Sequence, residues 1–462
     1  MGRSAPISKP SCWYLRQQTS FISAQALGYF RRSILCLAHN ETGQILSHGR
    51  TTCTRQLPPT LDVDNLQLPI FTLCNPKLTA LDYLYSCQRS TMCIVLLTTA
   101  HPDYALIAID NRDEFVLRPT SRPHWWTPPN PSALMEDTPS STLTPSDKEH
   151  KTNSVLSSRD LFRAEQGTWL GITKTGVFAV LTNFREPMSE KGVAGARSRG
   201  GMVKAWLGGL PDEEGGLMAG VRKLVEEGEG VKNVGGFSMV CGKLRRKACE
   251  CGEGIAIVSN RVDEAKDVPV IGKERNGVWG LSNAVYSEED GEEWPKVKIG
   301  KRLLENTIAE SVEKKEGKKE LVERLFGVLD EDTLGDLEEE GRRKGLTDML
   351  DRLRDSVFIR RLGDEDEHWE KVREMKEKVE EELRKESGEI GEKKVEEKKE
   401  QVIGKNGFDK GLYGTQRQTV VLVDWEGKVT FVERALWDEW GNNLNKGEGD
   451  VVVEFEIEDW NE

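Results

Sequence analysis

Cys93 directly follows an internal methionine, Met92, and opens a short apolar run that ends at Thr98. If translation began at Met92 and that methionine were removed, Cys93 would carry two useful groups on one residue. A thiol has a pKa near about 8.5, and an α-amine one near about 7.7–8.0. With values so close, the neutral amine takes the thiol proton, directly or through water, and no histidine is required. The next apolar run, Tyr104 to Ile109, ends in Asn111-Arg112-Asp113-Glu114. An Arg112–Asp113 pair at that strand end is suited to hold the amine and to lower the thiol pKa. Acyl transfer also needs donors where an oxyanion forms. Asn183 and Asn283, at the ends of later strand patterns, are the candidates, and losing one such donor typically costs about 2.7–4 kcal/mol in the transition state. Plainer readings stand beside these: a turn with surface ion pairs for Asn111–Glu114, a merely buried thiol for Cys93, turn residues for the two asparagines.

The elements that must position these groups are short strands. Pro102-Asp103 turns the chain between the first two, and Asn111 to Glu114 is read as the cap of the second. Trp169 to Thr173 and Val177 to Leu181 flank the tight turn Lys174-Thr175-Gly176, with Asn183 just past the hairpin. Gly200-Gly201 breaks the chain before a helix from about Met202. Three further segments, "GGFSMVCGKL", "GIAIVSN" and "GVWGLSNAVYS", read as strands, the last ending near Asn283. Residues 127–158 are rich in Pro, Ser and Thr without a period, and read as a surface insertion. From 296 to 403 apolar residues recur at helical spacing, as at Leu303, Leu304 and Ile308, and then thin out. Asp364 to Glu400 is mostly Glu and Lys, broken at Gly388 and Gly391, so about 364–403 reads as a charged insertion, a solvated helix or a loop. Thr419 to Asp424 and Lys428 to Val432 form a closing hairpin around Trp425-Glu426-Gly427. Strands at both ends and in the middle, with helices grouped between, make an α+β pattern: two packed sheets with helices outside.

Composition bounds the function. A formal net charge of −13 over 462 residues argues against nucleic acid, whose phosphates need a basic face. No run of about 18 apolar residues is present, so no transmembrane segment is expected. Residues 1–91 stand apart, with nine Lys/Arg against four acids and no acid in the first 40. Such a start resembles a mitochondrial presequence; a dispensable leader and an over-extended translation start are the alternatives. Four cysteines in the body form no disulfide framework, which implies a reducing compartment. Cys249-Glu-Cys251 lacks a second ligand pair and reads as loop thiols, so no metal or cofactor is called for. His101 and His124, each beside a proline, read as turn residues.

The blocks "MCIVLL", "AIDNRDEFVLRPT", "SSRDLF", "GTWLGITKTGVFAVLTNFRE", "SRG", "GLSNAVYS", "WPKV" and "GTQRQTVVLV", in that order, resemble the NRDE family, also called the transport and Golgi organisation 2 family. The resemblance covers most of 92–462 and leaves 1–91 outside. It implies an N-terminal-nucleophile (Ntn) hydrolase fold, a four-layer αββα sandwich, similar to the choloylglycine hydrolase and acid ceramidase group. Carried over by motif, the site would be Cys93, Arg112, Asp113, Asn183 and Asn283. Two functions follow from it. One is a cysteine amidohydrolase or acyl-transfer enzyme acting on a small acylated or lipid-like molecule. The other is a non-catalytic haem- or lipid-binding trafficking protein on the same scaffold. The family's links to Golgi organisation, secretion, mitochondrial lipid metabolism and haem trafficking imply a cytoplasmic, Golgi-associated or mitochondrial protein. Two departures matter. The leader would hold the Cys93 amine in a peptide bond. Gln416 stands where the family's last block has Arg, and Arg417 follows; in a regular strand a shift of one residue turns a side chain to the other face.

Overall fold

A computed structural model of the full chain describes residues 92–128, 154–163, 165–183, 198–209, 216–227, 230–232, 234–287, 293–335, 349, 351–385, 391–406 and 411–461. The leader 1–91, most of the expected insertion at 127–158, and Gly388 lie outside the described residues. The strands in chain order are β1 (Ile94–Thr98), β2 (Tyr104–Phe115), β3 (His124–Trp126), β4 (Val155–Ser157), β5 (Leu170–Thr173), β6 (Val177–Asn183) and β7 (Phe237–Lys243). They continue with β8 (Ile255–Ser259), β9 (Val270–Ile271), β10 (Val278–Leu281), β11 (Leu362–Gly363), β12 (Leu412–Asp424), β13 (Lys428–Ala435) and β14 (Asp450–Glu456).

Two antiparallel sheets result. The first has the order β10-β1-β2-β12-β13-β14, with β11 pairing β12; the second runs in order from β3 to β9. Strand periodicity explains how they pack. Val95, Leu97, Leu106, Ala108, Val421, Val423, Val429 and Phe431 from one face of the first sheet share a buried cluster with Leu156, Ile172, Phe178, Val180 and Ile257 of the second. The alternate residues Ile94, Leu96, Ile107, Ile109, Val420 and Leu422 join a different cluster, with the helices Pro295–Lys314 and Lys318–Leu329. Ala179, Met239, Cys241 and Val258 of the second sheet pack with the helices Arg199–Leu207 and Gly216–Glu226. Strands buried on both faces read as near-continuous apolar runs, which is how these appear in the sequence.

Helix Pro295–Lys314 lies close against the sheet because its contact face is small. A Cβ on Gly300 would sit 2.7 Å from a Leu96 methyl, and one on Gly280 of β10 would sit 2.6 Å from Val297. Pro295 starts this helix where a missing N–H costs nothing.

The structure corrects several expectations. Asn111 to Glu114 do not cap β2: the strand runs through them to Phe115, and all four are buried. The reason is β12, which pairs with β2 from Tyr104↔Asp424 to Phe115↔Tyr413 and supplies the backbone partners a turn would otherwise provide. Asn111 donates both amide hydrogens, to the carbonyl oxygens of Leu329 (2.8 Å) and Val357 (2.9 Å). Val155–Ser157, inside the expected insertion, is a buried core strand. The helix expected from Met202 begins at Arg199. Its Gly200 touches the backbone of Gly167 and Thr168, where a Cβ would crowd, so Gly200 serves packing and neither glycine breaks the chain before the helix. Cys249 and Cys251 lie in a short helix, Arg246–Cys251, and not in a loop; among the described residues no cluster of three or more metal-ligating side chains occurs. The charged segment forms two helices, Glu365–Arg384 and Glu392–Asn406, which bury Val372, Met375 and Ile403 against Leu117.

Asn111→Ala leaves two buried carbonyls without donors, and a buried unsatisfied group costs about 1–3 kcal/mol. We expect urea unfolding of this variant to show a lowered midpoint, by about 2 kcal/mol or more in stability, with an unchanged slope.

Candidate functional site

Strand pairing assembles the site. The register Ile94↔Asn111, continued by one residue, sets Cys93 opposite Arg112. The register Val95↔Leu281, continued by two, sets Cys93 opposite Asn283. On the far side of β2, Arg112 pairs with Arg417. Arg112 and Arg417 are thus paired across β2 and β12, Cys93 directly precedes β1 beside Arg112, and Asn283 follows β10 and is tied to Cys93 through Ser282. Cys93 has the parity of Val95 and Leu97, and Arg112 that of Ala108, so both side chains turn toward the second sheet. Arg112 stacks 4.3 Å over the Trp169 ring.

Arg417 reaches this pairing through a β-bulge. The pairing of β12 with β2 shifts between Thr415 and Arg417, so Gln416 is the extra residue. A bulge resets the alternation by one, and the simple-strand argument that would turn Arg417 away does not apply. Gln416 fills its own role: its Oε1 accepts from Arg112, and its Nε2 donates to the carbonyls of Val116 (3.1 Å) and Arg118 (2.9 Å). Arg417 donates to Thr120 Oγ1 at 3.2 Å, and its Nε lies 3.9 Å from Glu433.

Asp113 is one residue along from Arg112 and so points to the opposite face. The expected Arg112–Asp113 pair is not formed. Asp113 Oδ1 accepts from Thr415 Oγ1 at 2.7 Å, and Oδ2 lies 3.7 Å from Lys296 Nζ. Lys296, in the first turn of helix Pro295–Lys314, is completely buried. Its ammonium also donates to the carbonyl oxygen of Met92. The Met92 N–H donates to the Tyr413 hydroxyl at 2.7 Å. Lys296 thus holds the carbonyl of the peptide unit that joins Met92 to Cys93, and Tyr413 holds the N–H of the unit before it, beside Asp113.

Asn283 is buried, and its Oδ1 accepts from Ser282 Oγ at 3.3 Å; the same hydroxyl donates to the Cys93 carbonyl at 2.7 Å. Asn183 closes β6 in the second sheet, half-buried. Its neighbour Thr182 donates to the Ser282 carbonyl at 2.8 Å, which ties the second sheet to the segment that carries Asn283.

The electrostatics correct one expectation. Cys93 is not activated: burial pushes its thiol up to about 12, with Asp113 and Asp110 adding to the rise and Arg112 opposing it. Its Sγ donates a long contact, 3.8 Å, to the Asp113 carbonyl. Burial raises Asp113 to about 7 against the opposing pull of Lys296, and lowers Lys296 against the pull of Asp113. Asp110, buried with both carboxylate oxygens unpartnered among the described residues, is held well above the usual carboxylate range by burial and by Asp113.

Sequence reasoning missed Lys296, Tyr413, Thr415 and Trp169. Lys296 and Trp169 belong to the recognised blocks "WPKV" and "GTWLG", and Thr415 to "GTQRQ", but nothing in their spacing marks them as partners of Asp113 or Arg112. His101 caps its own turn, accepting from Asp103 N–H at 3.1 Å, and His124 is exposed.

Two outcomes are expected. At neutral pH iodoacetamide labels the exposed Cys251 of the intact chain and spares Cys93, which is read by peptide mass mapping. The second concerns stability. The folded Asp113 keeps its proton up to about pH 7, above its ordinary value of 3.8, so the folded state binds more protons in that window. Its contribution is therefore full at low pH and declines as pH rises through about 7. Asp113→Asn removes this part of the decline, so the stability difference between variant and wild type, measured by urea unfolding, moves in the variant's favour from pH ~4 to pH ~7.5.

Residues 92–135 and 139–438 match the family described as Transport and Golgi organisation 2. An uncharacterized protein of Saccharomyces cerevisiae is 28% identical over 234 residues, 49% of this chain and 65% of its own length. The Transport and Golgi organization protein 2 homologs of Bos taurus and Homo sapiens are 27% and 26% identical, over 72% and 73% of this chain and 87% and 88% of theirs. Among solved structures, a mutant of a conjugated bile acid hydrolase from Clostridium perfringens aligns over 80% of this chain and 98% of its own, at 11% identity and a TM-score of 0.27. With the family match spanning most of the sequence and starting at the methionine before Cys93, the chain belongs to the Transport and Golgi organisation 2 family.

Proposed function

We propose that this chain, with Cys93 at its terminus, is a cysteine Ntn-type amidohydrolase or acyl-transfer enzyme acting on a small acylated or lipid-like amide. The observation that carries this reading is the grouping of Asn283, Cys93, Arg112 and Arg417, on or directly beside four adjacent strands, with Asp113 at the root of Cys93. The three buried clusters, one between the sheets and one outside each, support a four-layer αββα sandwich as its frame. In this reading 92–462 is the functional unit and 1–91 a leader, with insertions before the core strand at Val155 and near 364–403; the family match over 92–135 and 139–438 supports its start. The family's name supports a role in Golgi organisation.

The chemistry follows from the groups present. The neutral α-amine of Cys93 accepts the Sγ proton, and the thiolate attacks the substrate carbonyl carbon. The oxyanion that forms takes hydrogen bonds from the Asn283 and Asn183 amides. The amine then passes its proton to the leaving nitrogen, the C–N bond breaks, and water hydrolyses the thioester. Asp113 holds the amine, and Arg112, fixed on Trp169, offers a cation to the substrate.

The test uses the full chain with a specific protease site ending at position 92, cut during synthesis by a protease produced in the same cells, before Met92 is buried, to free the Cys93 amine. An amide-mimicking acylating probe is expected to label cut wild type and to leave both cut Cys93→Ala and the uncut chain at background. Asn283→Ala is expected to slow labelling by about 10²–10³-fold. Equal labelling of wild type and Cys93→Ala sinks the enzyme reading. Intact mass of the protein from its native cells is expected to give a chain beginning at Cys93.

A second reading rests on a cavity of about 340 Å³ lined by Arg118, Arg122, Arg417 and Lys399, by the acids Glu396, Glu400, Asp438, Glu439 and Glu448, and by apolar Val116, Leu161, Ile403 and Trp437. Its cations beside apolar walls offer partners to the carboxylate of an amphipathic ligand, such as a lipid or haem, while its five carboxylates oppose a strongly anionic one. Haemin titration tests it: a Soret shift reduced by Arg122→Ala favours binding without turnover, and no shift removes haem as the ligand.

A further inference from the structure

Lys296 is a buried cation that the reaction outlined above does not use. It is fully enclosed and held by two acceptors, the Met92 carbonyl oxygen and Asp113 Oδ2. Planar peptide geometry fixes the amide nitrogen of Cys93 about 2.3 Å from that carbonyl oxygen. The nitrogen that becomes the α-amine is therefore within one hydrogen bond's reach of the region Lys296 Nζ occupies.

Cutting the Met92–Cys93 bond changes the charge balance there. Hydrolysis leaves Met92 as a carboxylate and Cys93 as an amine; once the cut segment departs, Lys296 has lost its acceptor there and a second basic nitrogen stands beside it. Tyr413 loses the N–H it accepts. The charged and titratable groups that face this point are Asp110, Arg112, Asp113 and Glu114 from β2, the Cys93 thiol just before β1, Tyr413 from β12, Arg199 from the helix Arg199–Leu207, and Lys296 from its own helix. The helix start also presents the positive end of its dipole. Two amines then share essentially one close carboxylate in a dry site. Like charges a few ångströms apart at low dielectric do not both form, and each depresses the other's protonation.

We propose that Lys296 is a positioning residue that keeps the Cys93 α-amine unprotonated near neutral pH, so that the amine is free to accept the thiol proton. The proposal rests on the Ntn reading of Cys93 and adds the residue that sets its base. Asp113 keeps its proton up to about pH 7 in the intact chain; without Lys296 the α-amine, the stronger base at about 8, takes that proton, and an ammonium cannot accept a second one. The lysine thus offsets a carboxylate whose other work is to hold the amine in place.

The experiment uses the full chain cut after position 92, in wild type, Lys296→Met, Lys296→Gln and Lys296→Arg, each checked for a cooperative thermal transition. Two readouts are taken against pH. One is the α-amine titration, by competitive acetylation and mass spectrometry of the N-terminal peptide. The other is Cys93-dependent labelling by the acylating probe. In wild type the amine is expected to titrate at least one pH unit lower than in Lys296→Met, with Lys296→Arg keeping the wild-type position. The acid limb of the labelling profile is expected to move up by the same amount in Lys296→Met, a loss of about tenfold below that limb. Lys296→Gln is neutral and polar and carries the same expectation if the methionine variant does not fold. An amine titration unchanged by removal of the lysine charge overturns the proposal, even where labelling persists. A shifted amine with no Cys93-dependent labelling at any pH instead overturns the enzyme reading and leaves the role of Lys296 standing.

Discussion

The pairing of β2 with β12, from Tyr104↔Asp424 to Phe115↔Tyr413, is the constraint on which the site depends. It brings strands far apart in sequence together in the middle of the first sheet, and it forces Asn111, Arg112, Asp113 and Glu114 into the interior. Burying such groups is costly unless each finds a partner. The partners define the architecture around them. Asn111 ties down the last carbonyl of helix Lys318–Leu329 and the carbonyl of Val357, Arg112 lies on Trp169 and takes Gln416, and Asp113 takes Thr415 and Lys296. The tetrad that looks like surface punctuation is the polar keystone between sheet and helices.

The alternation of a strand divides this keystone into two environments. Toward the second sheet lie the Cys93 thiol, Arg112 and Arg417. Toward helix Pro295–Lys314 lie Asp113 and Lys296, at the backbone end of the same cysteine. A residue with a thiol and a potential amine can thus have each group served from a different face. The bulge at Gln416 extends this order to β12, because it lets Arg417 pair with Arg112 while Gln416 braces Arg112.

The Met92–Cys93 peptide bond lies where these two environments meet. With the Met92–Cys93 bond intact, the thiol is buried, neutral and without a base, and the closed site is a stable piece of core. Opening the bond converts a satisfied amide into an amine in a site already furnished with a carboxylate, an ammonium and a phenol. Membership of the family agrees with that boundary, since the matched region begins at Met92.

Much of this was legible in the sequence, for local reasons. Apolar runs of four to eight residues marked most of the strands, and Trp425-Glu426-Gly427 marked its hairpin, where Gly427 takes φ +83. The Met-Cys pair stood out as an internal methionine before a cysteine, and the Asn-Arg-Asp-Glu block because its polarity ends an apolar run. Other features were not legible, because they are properties of pairing between distant segments. Nothing local distinguishes Asn111 to Glu114 as strand rather than turn; that depends on β12, some 300 residues on. Lys296 reads as an ordinary lysine in a helix's first turn until Met92 and Asp113 are set against it. The opposed directions of Arg112 and Asp113 follow from strand parity once strand is known. The return of Arg417 to the site follows from a bulge, which appears only when two strands are laid side by side. Sequence determined which residues were available and where short strands form. Tertiary structure decided which side chains meet, because contacts across a sheet are set by register, and register is a relation between strands.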